Sequence, residues 1–199
     1  YYSLQNEIRI VRRKNGYFVP IRDRLGRISG MQIRYDALPD NATEKEKQMY
    51  HKYAWFSSSE KTTGVTITGI ETIHHVGFDG NWDTTPSTVY LTEGALKADV
   101  ASFLSGGKPF IALIGVNNTS QLMDELLYLK EHGTKKIHVA VDMDYREKPT
   151  VKKALDNILE NIRDAGLESL MLTWPSAYKG IDDFLLENKK RGGDPDILK

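Results

Sequence analysis

The chain has 199 residues, 40% of them hydrophobic and 27% charged, with no cysteine and a formal net charge of +0. That composition supports one large or two small globular domains. It leaves no material for a disulfide framework or a cysteine zinc site, and no apolar run approaches the ~20 residues of a membrane-spanning helix.

The start, Tyr1-Tyr2-Ser3, shows neither an initiator methionine nor a basic-then-apolar leader. The chain therefore reads as a piece of a longer, cytoplasmic protein. Asn41-Ala42-Thr43 and Asn118-Thr119-Ser120 match a glycosylation pattern that has meaning only in a secreted protein. The zero net charge hides an asymmetry. Residues 1–34 carry Arg9, Arg12, Arg13, Lys14, Arg22, Arg24, Arg27 and Arg34 against only Glu7 and Asp23. The acidic residues of interest all come after residue 90. A basic half beside an acidic half suits a protein that holds a polyanion with one part and metal ions with the other.

In chain order, Ile8 to Val11, Tyr17 to Ile21 and Ile28 to Tyr35 are predicted strands, with hairpin turns at Lys14-Asn15-Gly16 and Asp23-Arg24-Leu25-Gly26. Alternation puts Met31, Ile33 and Tyr35 on one face of the third strand and Gln32 and Arg34 on the other. Arg34 then points away from the core, where it can reach a phosphate. Residues 36–50 read as a polar loop with at most a turn of helix. Lys52 to Phe56 and Val65 to Ile70 are further strands, and Ile73 to Gly77 is undetermined. His74 and His75, as neighbours on extended chain, face opposite ways without a third ligand at useful spacing, so a histidine metal site is not expected. Trp55, Phe56 and Trp82 fit packing better than base stacking. Asp83 to Ser87 is rich in turn residues and marks a boundary.

Beyond it, strand and helix alternate. Strands are predicted at Val89 to Thr92, Pro109 to Gly115, Lys136 to Asp142 and Ser169 to Thr173. Each is followed by a helix, at Ala95 to Leu104, Ser120 to Glu131, Thr150 to Ala165 and Ile181 to Asn188. Four such units predict a small parallel sheet with helices on both faces. The expected organisation is a basic, β-rich subdomain over 1–86 and an α/β domain over 87–199.

Carboxylates recur at one end of those strands. Glu93 closes the first, and Asp142-Met143-Asp144 closes the third, where residues two apart on extended chain face the same way. Asp182 and Asp183 open the last helix after Lys179-Gly180. Clustered carboxylates repel unless a cation compensates them, and hard oxygen donors suit Mg²⁺ or Mn²⁺. Such ions serve phosphoryl and phosphodiester chemistry. Taken singly, Asp182 is equally a helix cap and the Asp-x-Asp pair a turn closure.

The order Glu93-Gly94, then Asp142-x-Asp144, then Asp182-Asp183 resembles the TOPRIM domain of topoisomerases, bacterial primases and some nucleases. Ahead of it, Pro20-Ile21-Arg22-Asp23, Gly26-Arg27-Ile28-Ser29-Gly30, Arg34 and Lys52-Tyr53 resemble the basic subdomain that precedes TOPRIM in bacterial primases. The whole, over residues 8 to 187, is most similar to the primase-like TOPRIM domain of uncertain function in phage and mobile-element proteins. The resemblance implies a Rossmann-like TOPRIM fold. It implies catalytic roles for Glu93, Asp142 and Asp144, with Glu93 as general acid/base or metal-proximal carboxylate. It makes Asp142 and Asp144 ligands of Mg²⁺ or Mn²⁺, with Asp182 and Asp183 as auxiliary carboxylates. Arg22, Arg27, Arg34 and Lys52 would follow the template or nucleotide path.

Two positions depart from the primase pattern. Lys97 stands where primases often carry an acidic residue, with Asp99 two further on. It can replace a second cation, contact a phosphate of bound nucleic acid, or be an ordinary first-turn lysine. Tyr145-Arg146-Glu147 replaces a small, glycine-rich continuation. Both leave the number of metals and the activity itself open. The expected function is metal-dependent nucleotidyl transfer on single-stranded DNA, as the primase-like core of a replication or mobile-element protein. A zinc-binding domain or a helicase would be its partners in the parent chain. A nuclease on the same acidic edge and a non-catalytic nucleic-acid-binding module are the alternatives. A topoisomerase would need a nucleophilic tyrosine from another domain.

Overall fold

The structure, a computed structural model, describes residues 15–56, 72–78, 85–115, 119–194 and 198. The strands expected at Ile8 to Val11 and Val65 to Ile70, and Trp82, lie outside the described residues. The chain divides into two units, Tyr1–Val19 with Met31–Thr68 and Pro20–Gly30 with Gly69–Lys199.

Three strands, β1 (Gly16–Arg22), β2 (Ile28–Tyr35) and β3 (Tyr53–Trp55), form a sheet in that order. β2 and β3 run antiparallel, with Gln32 opposite Trp55 and Arg34 opposite Tyr53. Gly16 is required by space, because a Cβ there would meet the Arg34 carbonyl oxygen. In the polar stretch between β2 and β3 the one short helix is α1 (Glu44–Gln48). It begins with a reciprocal cap in which the Glu46 amide donates to Thr43 Oγ1 and the Thr43 amide donates to the Glu46 carboxylate at 2.8 Å.

The second unit is built on the strand–helix alternation. Its strands are β4 (Ile73–Val76), β5 (Thr88–Glu93), β6 (Phe110–Leu113), β7 (Lys136–Val139) and β8 (Glu168–Met171). They lie in the order β4-β6-β5-β7-β8, all parallel except β4, which runs antiparallel on β6. The undetermined stretch at Ile73 to Gly77 is therefore an edge strand. Each parallel strand leads to a helix: α2 (Ala95–Leu104), α3 (Leu122–Glu131), α4 (Pro149–Asp164) and α5 (Ile181–Lys190). Period-2 alternation sorts the strand side chains into two cores. Val89, Leu91, Ile111 and Leu113 pack with Leu126 of α3 and Ile158 of α4. Tyr90, Phe110 and Ala112 pack with Ala98 of α2 and Leu185 of α5 on the other face.

β7 is shorter than the apolar run predicts. Its pairing with β5 continues only through the Ala140 amide, which donates to the Leu91 carbonyl at 2.7 Å. The Ala140 carbonyl then accepts from the Thr92 hydroxyl at 2.8 Å, so a side chain takes over from the ladder and releases residues 140–142 from the strand.

Within the second unit, the Pro20–Gly30 segment is fastened to β4 by two adjacent histidines. The Arg22 amide donates to His74 Nδ1 at 3.0 Å, and His75 Nδ1 lies 3.3 Å from the Arg22 carbonyl oxygen. As extended neighbours, the two rings then part. His74 Nε2 meets Asp99 of α2 at 3.0 Å, while His75 Nε2 meets Glu125 of α3 at 3.1 Å. Arg24 Nε completes the buried Glu125 at 2.8 Å, with its guanidinium over the Tyr128 ring. Burial pushes the Glu125 carboxyl up, but the adjoining His75 and Arg24 outweigh it, and the net direction is down. A depressed carboxyl stabilises the fold above its ordinary range, and that contribution disappears as pH falls through the folded value. Glu125→Ala should cost about 3 kcal/mol at neutral pH by urea unfolding, because it strands buried His75 and Arg24. The difference from wild type should shrink as the pH is lowered past the ordinary glutamate range.

Candidate functional site

β5 and β7 are parallel neighbours, so their carboxyl ends open on the same edge of the sheet, the edge where ligands sit in open α/β sheets. Glu93 is the last residue of β5. Gly94 follows with φ +86°, and nothing lies within 4 Å of a Cβ built on it. The glycine is thus demanded by backbone angle and not by crowding, and it lets α2 begin immediately after the carboxylate. Asp142 follows β7 and is 5% exposed.

Asp144 reaches the same place by a route the sequence pattern does not give. Extended chain from Asp142 to Asp144 would align the two carboxylates. Instead Met143–Arg146 is a single 3₁₀ turn, with the Met143 amide donating to the Lys179 carbonyl at 3.0 Å. The two carboxylates share a lysine. Lys179 Nζ is 3.4 Å from Asp142 Oδ2 and 3.7 Å from Asp144 Oδ2. Lys148 Nζ adds a contact to Asp144 at 2.6 Å. The loop that carries Lys179 is pinned by Trp174, whose indole N–H donates to the Tyr178 carbonyl at 2.9 Å.

Lys97 lies one helical turn beyond Glu93 and pairs with Asp142 Oδ1. Its stem passes over Gly180, where a Cβ would collide first with Asp182 Oδ1 and come within 3.1 Å of Lys97 Cε. The Asp182 Oδ1 atom is buried without a hydrogen-bond partner, and Asp183 is exposed on the first turn of α5. Gly180, not Asp182, is the N-cap residue of α5.

The charges bear on one another. Burial pushes the Glu93 carboxyl up, the Asp142 and Asp144 charges push it further, and Lys97 and Lys179 pull against them without reversing the direction. Asp182 is also pushed up, first by burial. Asp144 is drawn down, chiefly by its hydrogen bond from Lys148. Lys179 is raised, because the Asp142 and Asp144 charges outweigh its own desolvation. The Asp142 and Asp144 charges thus act on Glu93 across the edge, and Lys97 and Lys179 supply its positive charge. As hard oxygen donors, with one buried oxygen lacking a partner, these groups fit a hard divalent cation in kind. Among the described residues no three His, Asp or Glu side chains are grouped at metal-ligand spacing; the lysines hold the carboxylates instead.

The basic residues fall in two places. Arg22 and Arg27 close the β1–β2 turn. Arg22 Nη1 donates to the Gly26 carbonyl at 3.2 Å, and Arg27 pairs with Asp23 at 2.7 Å. Asp23 Oδ1 also accepts the Leu25 and Arg27 amides, which gives the Asp23 and Gly26-Arg27 pattern a structural purpose. In the other unit, the Arg34 guanidinium lies 5.5 Å from the Tyr17 ring centroid and Lys52 Nζ lies 5.7 Å from that of Tyr53. Lys97 sits in the acidic site. Sequence reading missed Lys179 and Lys148; the signal for Lys179 was its place directly before Gly180-Ile181-Asp182.

The family described as a domain of unknown function (DUF3854) matches residues 78–191. No curated protein matches by sequence. Among solved structures, the chain resembles the Aquifex aeolicus primase (zinc-binding and RNA polymerase domains) at 18% identity and TM-score 0.57, covering 89% of this chain and 38% of that one. It resembles the primase fragment of the bacteriophage T7 primase-helicase protein at 14% and 0.55, covering 87% and 58%. A DNA primase domain from Pseudomonas aeruginosa aligns at 19% and 0.54, covering 88% and 49%. The shared property at these identities is the fold, and the chain spans between 38% and 58% of the length of these three structures.

A raised folded-state carboxyl costs stability only where it is ionised, so the cost is absent at acid pH and enters as pH rises through the folded value. Glu93→Gln should therefore raise the neutral-pH Tm by about 2 °C, and should leave it unchanged below the ordinary glutamate range. A calorimetric comparison at the two pH values checks this.

Proposed function

The chain belongs to the DUF3854 family, and from that premise we propose that it is the core of a primase-like, TOPRIM-type nucleotidyltransferase acting on single-stranded DNA. The observation that supports the reading is that Glu93 ends β5 while Asp142 and Asp144 follow its parallel neighbour β7, at the carboxyl edge of a sheet whose fold resembles that of primase domains. Glu93, Asp142 and Asp144 would hold Mg²⁺ or Mn²⁺, with Asp182 beside them. A bound divalent ion would neutralise phosphate charge and lower the pKa of an attacking hydroxyl.

The protein's own residues have separable tasks. Glu93, whose carboxyl is biased toward the protonated form by burial and by two neighbouring carboxylates, suits proton transfer at the reacting oxygen. Lys179, 64% exposed on its loop, is free to move from the two aspartates toward a triphosphate. Arg34 and Lys52, next to Tyr17 and Tyr53, combine cations with aromatic rings, the pairing that holds single-stranded nucleic acid by phosphate contact and base stacking. Arg22 and Arg27 shape the β1–β2 turn and serve the DNA path indirectly.

A nuclease would use the same carboxylates to align water in place of a 3′-hydroxyl, and a binding module would use none of them. The test is a primer-synthesis and cleavage assay on the intact parent protein with Mg²⁺ and Mn²⁺. Glu93→Gln should lower synthesis by at least about a hundredfold while leaving single-stranded DNA affinity unchanged. Cleavage without synthesis assigns the nuclease. DNA binding with neither activity assigns the module.

A further inference from the structure

The two lysines of the acidic edge are built differently. Lys179 is 64% exposed and shared loosely, at 3.4 and 3.7 Å, between Asp142 and Asp144. Lys97 is 18% exposed and pairs with an aspartate that is itself almost wholly buried. Its stem lies against Gly180, which has no side chain to displace it. It projects from the first turn of α2, whose start is fixed by Gly94 directly after Glu93. Lys97 is thus anchored from three elements, while Lys179 hangs on an accessible loop.

A buried carboxylate needs one compensating charge, and an ammonium within contact range supplies it as a divalent ion would. Two cations cannot share one carboxylate oxygen without repelling each other. We propose that Lys97 is a resident cation of this edge, holding Asp142 in place of a divalent ion and in competition with one, while the exposed Lys179 is the lysine that yields when an ion enters. The inference rests on reading Glu93, Asp142 and Asp144 as the ion's ligands. It specifies what that reading leaves open, namely that affinity for the ion is set low by a fixed lysine and that Asp142 stays ordered without metal.

The probe is Mn²⁺ alone, titrated into the full chain and followed by the loss of the free-ion electron paramagnetic resonance signal. Lys97→Met should tighten Mn²⁺ binding by at least about tenfold, since an ammonium in contact with a ligand oxygen no longer opposes the ion. Lys97→Arg, which keeps the charge, should bind as wild type does. Lys97→Gln gives a second route, since it keeps a side chain of similar reach and removes only the charge, so Mn²⁺ binding should tighten by a smaller factor. If Lys97→Met does not fold, Lys97→Gln decides alone. Equal or weaker Mn²⁺ binding in both variants overturns the inference, as does the absence of Mn²⁺ binding in every form. Tightened binding in a protein that makes no primers upholds it and overturns only the nucleotidyl-transfer reading.

Discussion

Asp142 is a carboxylate taken out of water at the end of the β5–β7 strand pair, and Lys97 answers it from the adjoining helix. An unpaired charge at that depth would cost several kcal/mol, of order 3–5 when one partner of a buried pair is removed. Much of the local architecture follows from supplying the partner. Gly94 turns the chain so that α2 starts at once and brings Lys97 within reach. Gly180 leaves room for the lysine stem, and the Met143 amide ties the Asp-x-Asp turn to the loop that carries Lys179. Glycines that look like motif punctuation in the sequence here make room for the acidic edge, Gly180 for Asp182 Oδ1 as well as for the lysine stem.

The carboxylates of this edge are also biased in opposite directions. Asp142 and Asp144 are balanced by lysines, Asp144 so fully that it is drawn below the usual aspartate range. Glu93 meets the same lysines but also two negative neighbours and a desolvated position, and it is pushed the other way. Groups of one chemical type with opposite bias at one edge are the arrangement expected where one binds charge and another moves a proton. The likeness to primase folds supplies the substrate class for the proposal, and the local electrostatics supports the residue roles that the TOPRIM resemblance implies.

The fold was legible because period and composition agree. The run from Thr88 to Glu93 and the helical spacing from Ala95 to Leu104 need no tertiary information, and the second unit has the predicted alternation of strand and helix. Legibility ended where tertiary partners decide. Ile73 to Val76 is too short to read alone and becomes a strand by pairing with β6. The last strand residues before Asp142 are released because Thr92 captures a carbonyl, which no period reveals. At the site, the sequence singled out Glu93, Asp142, Asp144 and Asp182, which the fold places at the end of β5, after β7 and at the start of α5. It assigned Asp142 and Asp144 a common direction through extended geometry, whereas a 3₁₀ turn and Lys179 bring them together. Among the named cations, Arg22 and Arg27 also have partners inside the β1–β2 turn, Gly26 and Asp23, each four residues away.

The coupling between Lys97 and Asp142 carries the account, and a double-mutant cycle measures it most directly. Lys97→Met, Asp142→Asn and the double variant would be compared by urea unfolding at neutral pH, without metal. The account predicts a coupling energy of about 2–3 kcal/mol, with the double variant more stable than the sum of the single losses implies. Additive losses, with coupling below about 0.5 kcal/mol, would mean that the two groups do not meet in solution and that the acidic edge is organised in some other way.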